Sequence, residues 1–313
     1  MLLFRTGLRR NRTRLLFFLL LGAGLAWRLA FSQKPVALPQ PVPDSQFVPL
    51  RESISEELTE KLNEIVYRNK TWKKLVSRRK MAVGVVRLTD TENPETAWIN
   101  PNLTMYAASL PKIGILLAAM QEIEDGGLKE STELTNDLTD MIRKSDNQTA
   151  TRVIDRIGLK KIRDVLTSPQ FEFYNEEKGG GLWIGKRFAK QGRRFGDPMK
   201  NLAHAANVRQ VCRFYYLLIT GRIISRKRSN QILNILSHPE IEHKFVKSLG
   251  MKYPLKRLFR KSGTWKHWHS DSVLVWGKTP DKRYILVALI ESPDGEQILR
   301  DLAQQVDNVF TGY

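Results

Sequence analysis

Apolar residues recur at two different periods along the chain, and the points where the period changes divide it into elements. Residues 52–80 carry apolar side chains near helical spacing and predict one long amphipathic helix. Residues 81–90 (MAVGVVRLTD) predict a strand, and residues 95–102 (ETAWINPN) predict a second strand after the turn TENP. The folded part therefore begins with a helix followed by two strands.

The middle of the chain is predicted to be helical, with segments at 109–127, 133–158, 159–166, 199–225 and 230–239. The first of these is strongly apolar, and its sequence predicts Ser109 as the N-cap. The second is predicted to be two short helices broken around Ser145. Residues 168–198 are irregular and rich in glycine, and an ordered loop of this length is usually functional.

Three strand-like segments separated by turns precede a last amphipathic helix. The strands are predicted at 257–265, 270–278 and 283–292, and the helix at 294–310. Strands thus lie at both ends of the folded part, with a helical block between them. This order predicts an α+β fold in which one antiparallel sheet carries the terminal helices on one face and a helical lobe lies beside it. A functional site is expected in the cleft between the lobe and the sheet edge.

The first 32 residues have the pattern of a targeting segment. They hold six arginines and no acidic residue, and the apolar run at 15–27 is thirteen residues long. Such a run is typical of a signal peptide, with a small-residue cleavage site at 29–32, or of a tilted membrane anchor. Residues 33–49 predict a proline-rich linker, which leaves 50–313 as the globular domain. We therefore expect an exported envelope protein that contacts a membrane through its N-terminus.

The formal net charge is +19, from 51 basic and 32 acidic residues. A charge of this size favours anionic partners such as lipid head groups, wall polymers or nucleic acid. Nucleic acid is the weakest of the three, because the sequence has no zinc finger and no aromatic RNA-binding box. The single cysteine, Cys212, excludes an internal disulfide, and the five histidines form no ligand-spaced set. We expect neither a metal nor an organic cofactor, and the sequence leaves the oligomeric state open.

Ser109 and Lys112 form a Ser-x-x-Lys pair at the mouth of the apolar helix. Residues three apart share one face of a helix, so the lysine is expected one turn beyond the serine. A buried lysine is costly unless it is paired or neutralised, which calls for a functional reason. The pattern alone is weak, because the chain holds a second copy at 77–80 (SRRK) in a run of charge, where a solvated helix end explains it.

Two distant stretches complete a set with this pair. Ser145, Asp146 and Asn147 (S-D-N) lie at a predicted helix junction, and residues 261–263 (K-S-G) lie on a predicted strand. Ser-x-x-Lys, S-D-N and K-S-G in this order resemble the motif set of the penicillin-recognising serine hydrolases, most nearly the class A β-lactamases. The resemblance also includes the helix after S-D-N and the strand pair after K-S-G, so it runs from about residue 52 to the C-terminus.

The resemblance implies a set of catalytic residues. Ser109 would be the nucleophile and Lys112 its general base, provided that burial and a second cation lower the pKa of the lysine. Lys261 would be that second cation. Ser145 would pass a proton between the two lysines and the leaving group, while Asn147 would hold a substrate amide.

The resemblance also implies a substrate-binding strand. Ser262, Gly263 and Thr264 would bind the substrate, and Ser262 and Thr264 together with Lys261 would meet a substrate carboxylate. The backbone N–H groups of Ser109 and Thr264 would form the oxyanion hole.

One departure from the class A pattern concerns the loop at 168–198. In that class the loop carries a glutamate with a nearby asparagine, and the glutamate activates the deacylating water. No Glu-x-x-x-Asn occurs in this loop, whose acidic residues are Glu172, Glu176, Glu177 and Asp197. Acylation is therefore expected, whereas fast release of the acyl group is not.

A second departure is the short segment between Ser109 and Ser145, which are 36 residues apart. One wall of the class A cleft is largely absent, and this predicts a more open cleft. The stretch TWKHWHSD after the K-S-G strand supplies aromatic and histidine side chains that are candidates for lining the pocket. His204 and His267 are candidates for the deacylating role, because histidine titrates near neutral pH, whereas packing explains His269.

Together these inferences predict an exported serine hydrolase that acts on an amide or ester through an acyl-enzyme. The expected substrate is a β-lactam or a peptidoglycan-like wall peptide, with slow β-lactam turnover because the loop glutamate is missing. The alternatives are a D,D-peptidase or esterase of the penicillin-binding type and a non-catalytic envelope scaffold with this fold. A scaffold has no need of a buried lysine, which argues against that alternative.

Overall fold

The computed structural model describes residues 38–311 of the 313. In chain order its helices are α1 (Glu56–Arg68), α2 (Lys70–Ser77), α3 (Lys112–Glu124), α4 (Thr132–Arg143), α5 (Asn147–Ile157), α6 (Leu159–Thr167), α7 (Val208–Ile219), α8 (Arg226–Leu236), α9 (Phe245–Leu249) and α10 (Gly295–Thr311). Its strands are β1 (Met81–Arg87), β2 (Glu95–Ile99), β3 (Met105–Tyr106), β4 (Tyr174–Asn175), β5 (Gly180–Gly181), β6 (Trp183–Ile184), β7 (His204–Ala206), β8 (Leu258–Trp265), β9 (Trp268–Trp276) and β10 (Arg283–Glu291).

Five strands form an antiparallel sheet in the order β2-β1-β10-β9-β8, and β1 shows why this sheet is apolar on both faces. Ala82 and Val86 belong to the core shared with the helical lobe, whereas Val83 and Val85 belong to a second core under α1, α2, α9 and α10. Successive residues of a strand point to opposite faces, so each face needs its own apolar set. The sheet is therefore the middle layer of the domain.

This architecture confirms the predicted α+β fold. The helices near the two ends of the folded part cover one face of the sheet, and the helical lobe packs against the other. The K-S-G residues lie on β8, which is an edge strand of the sheet. The motif-bearing strand thus borders the lobe at the place where a cleft was expected.

The single helix predicted over 52–80 is wrong, because the structure has two helices there. They meet at Asn69, whose extended backbone ends α1. The side-chain oxygen of Asn69 accepts hydrogen bonds from the N–H groups of Thr71 at 2.9 Å and Trp72 at 3.1 Å, and so caps α2. Apolar spacing continues through the break, and for this reason periodicity did not detect it.

The helix that carries Lys112 begins later than predicted. α3 starts at Lys112 itself, with Pro111 before it and no side-chain cap. Ser109 lies in the preceding turn, where its carbonyl accepts a hydrogen bond from the N–H of Lys112 at 3.2 Å. The hydroxyl of Ser109 is therefore not used as a helix cap, in contrast to the sequence prediction.

The glycine-rich segment 168–198 is an ordered loop with short strands. β4 pairs with β5, and β6 pairs with β7, which the sequence had predicted as part of a helix. The buried carboxylate of Asp197 accepts hydrogen bonds from the hydroxyl of Tyr174 at 2.9 Å and from the N–H of Leu202 at 2.6 Å. These bonds hold the loop in a defined position.

Residues 38–49, which belong to the predicted linker, pack against the domain. Phe47 stacks on Tyr216 with ring centroids 5.4 Å apart, and the N–H of Gln40 donates to the carbonyl of Ile219 at 2.8 Å. This part of the segment is not a free extended linker, because its apolar side chains find a surface on α7 and the turn after it.

The predicted signal peptide or membrane anchor at 1–32 lies outside the described residues. Within 38–311, no helix combines the length and the apolar character needed to cross a membrane. Targeting by the N-terminus and the boundary at residue 32 therefore stay predictions.

Replacing Asn69 by alanine removes the cap of α2, and we expect a loss of about 1 kcal/mol in the free energy of unfolding. Urea denaturation followed by circular dichroism measures this loss. Asn69→Ser keeps a capping oxygen and is the control, with a clearly smaller loss expected. Equal stability of the alanine variant and the wild type would show that the helix break does not depend on this side chain.

Candidate active site

Ser109 lies in a tight turn between β3 and α3. Ala108, directly before it, has a φ of +50°, a left-handed conformation that residues other than glycine rarely adopt. Such positions persist only where the surrounding contacts fix them, and they cluster at functional sites. The half-buried side chain of Ser109 hydrogen-bonds no other residue within 38–311, so the fold leaves its hydroxyl unengaged.

Lys112, on the first turn of α3, has no exposed surface. Its Nζ donates to the carbonyl oxygens of Ser145 at 2.7 Å and Asp146 at 3.1 Å, and to Oδ1 of Asn147 at 2.8 Å. Three acceptors satisfy the three donors of an ammonium, whereas a neutral amine uses two of them and keeps a lone pair free. The site can therefore hold Lys112 in either protonation state.

The S-D-N residues form the junction between α4 and α5. Ser145 has a φ of +58°, again in the left-handed region. The carboxylate of Asp146 caps α5 by accepting a hydrogen bond from the N–H of Thr149 at 2.7 Å. The sequence predicted the helix break at this point. It gave no sign that backbone carbonyls of the junction would bind Lys112.

Lys261 reaches the same junction from the other end of the chain. Its Nζ donates to the hydroxyl oxygen of Ser145 at 2.8 Å and to the carbonyl of Ser262 at 2.7 Å, and its side chain is buried. Ser145 therefore stands between two lysines: its carbonyl accepts from Lys112 and its hydroxyl accepts from Lys261. The structure brings residues of all three motifs within hydrogen-bond distance of one another.

Gly263 lets β8 approach the turn that carries Ser109. A Cβ atom on Gly263 would lie 2.3 Å from the carbonyl oxygen of Ala107 and 2.7 Å from the backbone nitrogen of Ser109. Contacts this short are not tolerated, so only glycine permits the approach. The N–H of Ser109 donates to no acceptor within the described chain and lies beside the strand that continues to Thr264.

Ser262 and Thr264, which were predicted to meet a substrate carboxylate, have partners within the protein. The hydroxyl oxygen of Thr264 accepts a hydrogen bond from Nζ of Lys244 at 2.6 Å, and Oγ of Ser262 lies 3.2 Å from Nε2 of His243. Thr264 is nevertheless exposed, whereas Ser262 is buried. The structure thus places a third buried lysine, Lys244, directly behind the exposed end of the K-S-G strand.

Burial controls the protonation of these lysines. It lowers the pKa of Lys112 to about 7, while the carboxylate of Asp146 opposes the shift. Burial also holds the pKa of Lys261 well below its ordinary value, and the nearby charges of Lys112 and Arg260 add to that effect. A substantial fraction of Lys112 is therefore neutral near pH 7, which a general base requires.

Comparison with known proteins agrees with this geometry. The profile of the beta-lactamase enzyme family matches residues 67–137 and 130–310, which is most of the chain. The chain belongs to the beta-lactamase enzyme family. It is therefore a penicillin-recognising serine hydrolase by family, as the motif set predicted. No match was found among curated proteins.

Solved structures of this family share the fold. A β-lactamase from Sphaerobacter thermophilus is 16% identical, with 77% of this chain and 97% of that chain covered and a TM-score of 0.59. A protein named PBP-A is also 16% identical, with 88% of this chain and 100% of that chain covered and a TM-score of 0.59. A point mutant of PBP-A, solved as an acyl-enzyme complex with penicillin G, has a TM-score of 0.61 at 17% identity, with 85% and 100% covered.

The loop of this family member brings no carboxylate to the lysine pair. Asp197 is buried among Tyr174 and backbone N–H groups, and Glu172 pairs with Lys178 at 2.6 Å on the surface. The carboxylates of the exposed Glu176 and Glu177 accept no hydrogen bond within the described chain. None of the four acidic residues of the loop hydrogen-bonds the residues of the three motifs, in agreement with the missing Glu-x-x-x-Asn pattern.

The loop instead brings an aromatic ring to Lys112. The ring centroid of Phe188 lies 4.5 Å from the Nζ of Lys112, and the ring stacks on His204 with centroids 4.2 Å apart at an angle of 6°. His204 is buried, its Nδ1 has no hydrogen-bond partner among the described residues, and burial lowers its pKa to about 3. Of the histidines considered from the sequence, His204 is therefore next to the site, but as a neutral ring behind Phe188.

The aromatic and histidine side chains after K-S-G were candidates for lining the pocket. Among the described residues, none of these side chains hydrogen-bonds a residue of the three motifs. Trp268 packs edge-on against Tyr106 at 5.5 Å, and His267 lies 4.0 Å from Trp268 between ring centroids. Trp265 is largely exposed. His269 is buried against Gly295 at the start of α10, which supports the packing role predicted for it.

Sequence reasoning missed Phe188 and Lys244 as parts of this site. Neither lies in a motif, and each is separated by many residues from the groups that it touches. The only sequence signal for Phe188 was its position in a long glycine-rich loop, and Lys244 is one of many lysines in a basic chain. Their contacts depend on tertiary packing, which spacing along the chain does not encode.

The pKa of Lys112 should lie at about 7, well below that of an ordinary lysine. The ¹³Cε resonance of isotope-labelled lysine, followed over a pH series, measures this value. Asp146→Asn keeps a capping side chain for α5 but removes the negative charge that favours the ammonium, so the pKa of Lys112 should fall further. Asp164→Asn, on the surface of α6, is the matched control and should leave it unchanged. An ordinary lysine pKa in the wild type would contradict this account of the site.

Proposed function

We propose that this member of the beta-lactamase enzyme family is an active serine hydrolase that forms an ester at Ser109 and releases the acyl group slowly. One observation carries the proposal: the hydroxyl of Ser145 lies 2.8 Å from Nζ of Lys261, while its carbonyl binds the buried Nζ of Lys112. This arrangement holds two lysines of lowered pKa and a proton-transferring hydroxyl beside an unengaged serine. A binding scaffold has no use for it.

The proposed acylation begins with attack by Oγ of Ser109 on an amide or ester carbonyl carbon. Lys112, in its neutral form, takes the proton of the Ser109 hydroxyl. The new bond joins Oγ to the acyl carbon, and the bond from that carbon to the leaving nitrogen or oxygen breaks. Ser145 gives its proton to the leaving group and regains one from Lys112, while Lys261 donates to the oxygen of Ser145 and orients it.

The oxyanion of the tetrahedral intermediate would be held by backbone N–H groups. The N–H of Ser109 makes no other hydrogen bond within 38–311, and the close approach at Gly263 sets it beside the strand that carries Thr264. Donors held rigidly before the reaction stabilise the developing charge without reorganisation.

An anionic substrate suits the charge of the site. Arg260 on β8 and Lys244 behind that strand are buried, and Arg260 donates to the neighbouring buried carboxylate of Asp271 at 2.7 Å. Positive charge therefore exceeds negative charge along this strand, which favours a substrate carboxylate next to the exposed Thr264. A β-lactam or a wall peptide carries such a carboxylate beside its amide, and the acyl-enzyme of the PBP-A mutant with penicillin G supports the β-lactam class by likeness of fold.

Export to the cell envelope is part of the proposal and has support from the sequence. An arginine-rich start followed by the apolar run at 15–27 is typical of a signal peptide or an anchor. A peptidoglycan-like substrate would be met in that compartment.

Replacing Ser109 by alanine should abolish covalent labelling of the full chain by a fluorescent penicillin and by an activated ester, a loss of about a thousand-fold or more in the acylation rate. Gel fluorescence and intact-protein mass spectrometry measure the label. Ser77→Ala, in the second Ser-x-x-Lys copy, is the matched control, because Ser77 is exposed and lies far along the chain from the S-D-N and K-S-G motifs. Its labelling should equal that of the wild type.

The outcomes separate the alternative functions. A label that persists without product indicates a penicillin-binding type of enzyme, and slow release of hydrolysed penicillin indicates a slow β-lactamase. Labelling by the ester alone indicates a peptidase or esterase. No label and no turnover with either probe would refute the proposal in favour of a scaffold.

The acylation rate should rise with pH through about 7 and then level off. The pKa of Lys112 lies at about 7, so the lysine is protonated and inactive as a base below that pH and neutral above it. Stopped-flow or quenched-flow measurements of the labelling rate between about pH 5 and 9 give the profile. Lys112→Met should remove the rise and leave only slow, pH-independent labelling, whereas a rate that falls with pH would contradict the base role.

A further inference from the structure

The ring of Phe188 packs against Lys112 from the side of the loop at 168–198. Three carbonyl-type oxygens bind the Nζ of Lys112 from the α4–α5 junction, and the ring of Phe188 faces the same nitrogen from the loop at 4.5 Å. A water molecule between them would need a hydrogen-bond distance of about 2.8 Å to the nitrogen and a further contact of about 3 Å to the ring. The observed separation is too short for that.

Phe188 is half-buried, so one part of it reaches the solvent while its ring contacts the buried lysine. A phenyl ring neither accepts a proton nor holds a water by a strong hydrogen bond. The loop side of the general base is thus filled by a group that cannot activate water.

His204 fixes the ring in this place. Its imidazole stacks on Phe188 with the planes within 6° of each other, and it is held in β7 between β3 and β6. The imidazole is buried, and its Nδ1 hydrogen-bonds no described residue, so stacking is the contact that relates it to the site. Stacking on Phe188 needs a flat ring at position 204, and it does not depend on whether that ring is protonated.

We propose that Phe188, positioned by His204, covers Lys112 and occupies the place from which a hydrolytic water would reach the acyl group on Ser109. This inference rests on the proposed acyl-enzyme. Hydrolysis of that ester forms a bond between the water oxygen and the acyl carbon, breaks the bond from the carbon to Oγ, and returns a proton to Oγ. Lys112 would have to take the water's proton, and the ring keeps a water on the loop side away from its nitrogen. The acyl-enzyme is therefore kept long-lived by a side chain and not only by an absent acid.

The first test measures deacylation of the full chain after labelling with penicillin, by the loss of label over time. Phe188→Ala should raise the deacylation rate by about tenfold or more. Phe195→Ala is the matched control, because Phe195 belongs to the same loop and is also half-buried but packs on Arg163 at 4.5 Å instead of Lys112. The control should release the label at the wild-type rate. A Phe188→Ala rate within about twofold of the wild type would overturn the proposal.

Variants of His204 separate positioning from chemistry. His204→Ala removes the stacking partner and should speed release, though less than Phe188→Ala. His204→Phe restores a flat ring without a titratable group and should return the rate to the wild-type value. A fast His204→Phe variant would show that the imidazole itself matters and would overturn the positioning role. Should Phe188→Ala fail to fold, Phe188→Leu decides, with a release rate above that of the wild type expected.

A second readout does not need acylation. The groups that face the ammonium of Lys112 are Asp146, Lys261 and His204, and none of them is changed in Phe188→Ala. Exposure to water favours the charged form, so the pKa of Lys112 should rise in Phe188→Ala and stay at the wild-type value in Phe195→Ala. If the wild type takes no label at all, the proposed function fails, and this titration alone decides whether Phe188 covers Lys112. An unchanged pKa would show that it does not.

Discussion

Two lysines buried against one serine set the requirements for the rest of the site. Removing Lys112 and Lys261 from water is costly, and the cost is offset only where acceptors replace the lost hydration. The acceptors come from the broken helix at Ser145 and from the backbone of β8. The left-handed conformation of Ser145 and the glycine at 263 are therefore geometric conditions for holding both lysines close to Ser109.

The same burial that opposes stability favours the proposed chemistry. In water a lysine amine is protonated at neutral pH and is useless as a base, whereas here desolvation brings the pKa of Lys112 to about 7. Asp146 acts in the opposite direction, and its carboxylate is engaged mainly by the N–H of Thr149 at the start of α5. The balance keeps the lysine near the midpoint of its titration, where it can both accept and return a proton.

The sequence allowed the fold and the meeting of the motifs to be predicted, because strand alternation, helix breaks and ordered motifs are all local signals. It did not locate the break at Asn69, where apolar spacing runs on although a side chain caps the next helix. Phe188 and Lys244 were missed for a different reason. Each acts on groups distant in the chain, and a phenylalanine in a loop carries no signal of what it will cover. Motif residues are thus predictable where their spacing is local, and their surroundings are not.

The loop at 168–198 shows how one fold can change the fate of a common intermediate. In the proposed mechanism a serine ester would form through groups on α3, the α4–α5 junction and β8, none of which belongs to this loop. Release of the acyl group would depend on what the loop places next to Lys112, because an attacking water needs a base and a path. Here the loop supplies a ring where a proton acceptor would be required, and the stacked imidazole behind it is held neutral by burial. Under this proposal, acylation and release would be governed by separate elements, and a change confined to the loop would alter the second without disturbing the first.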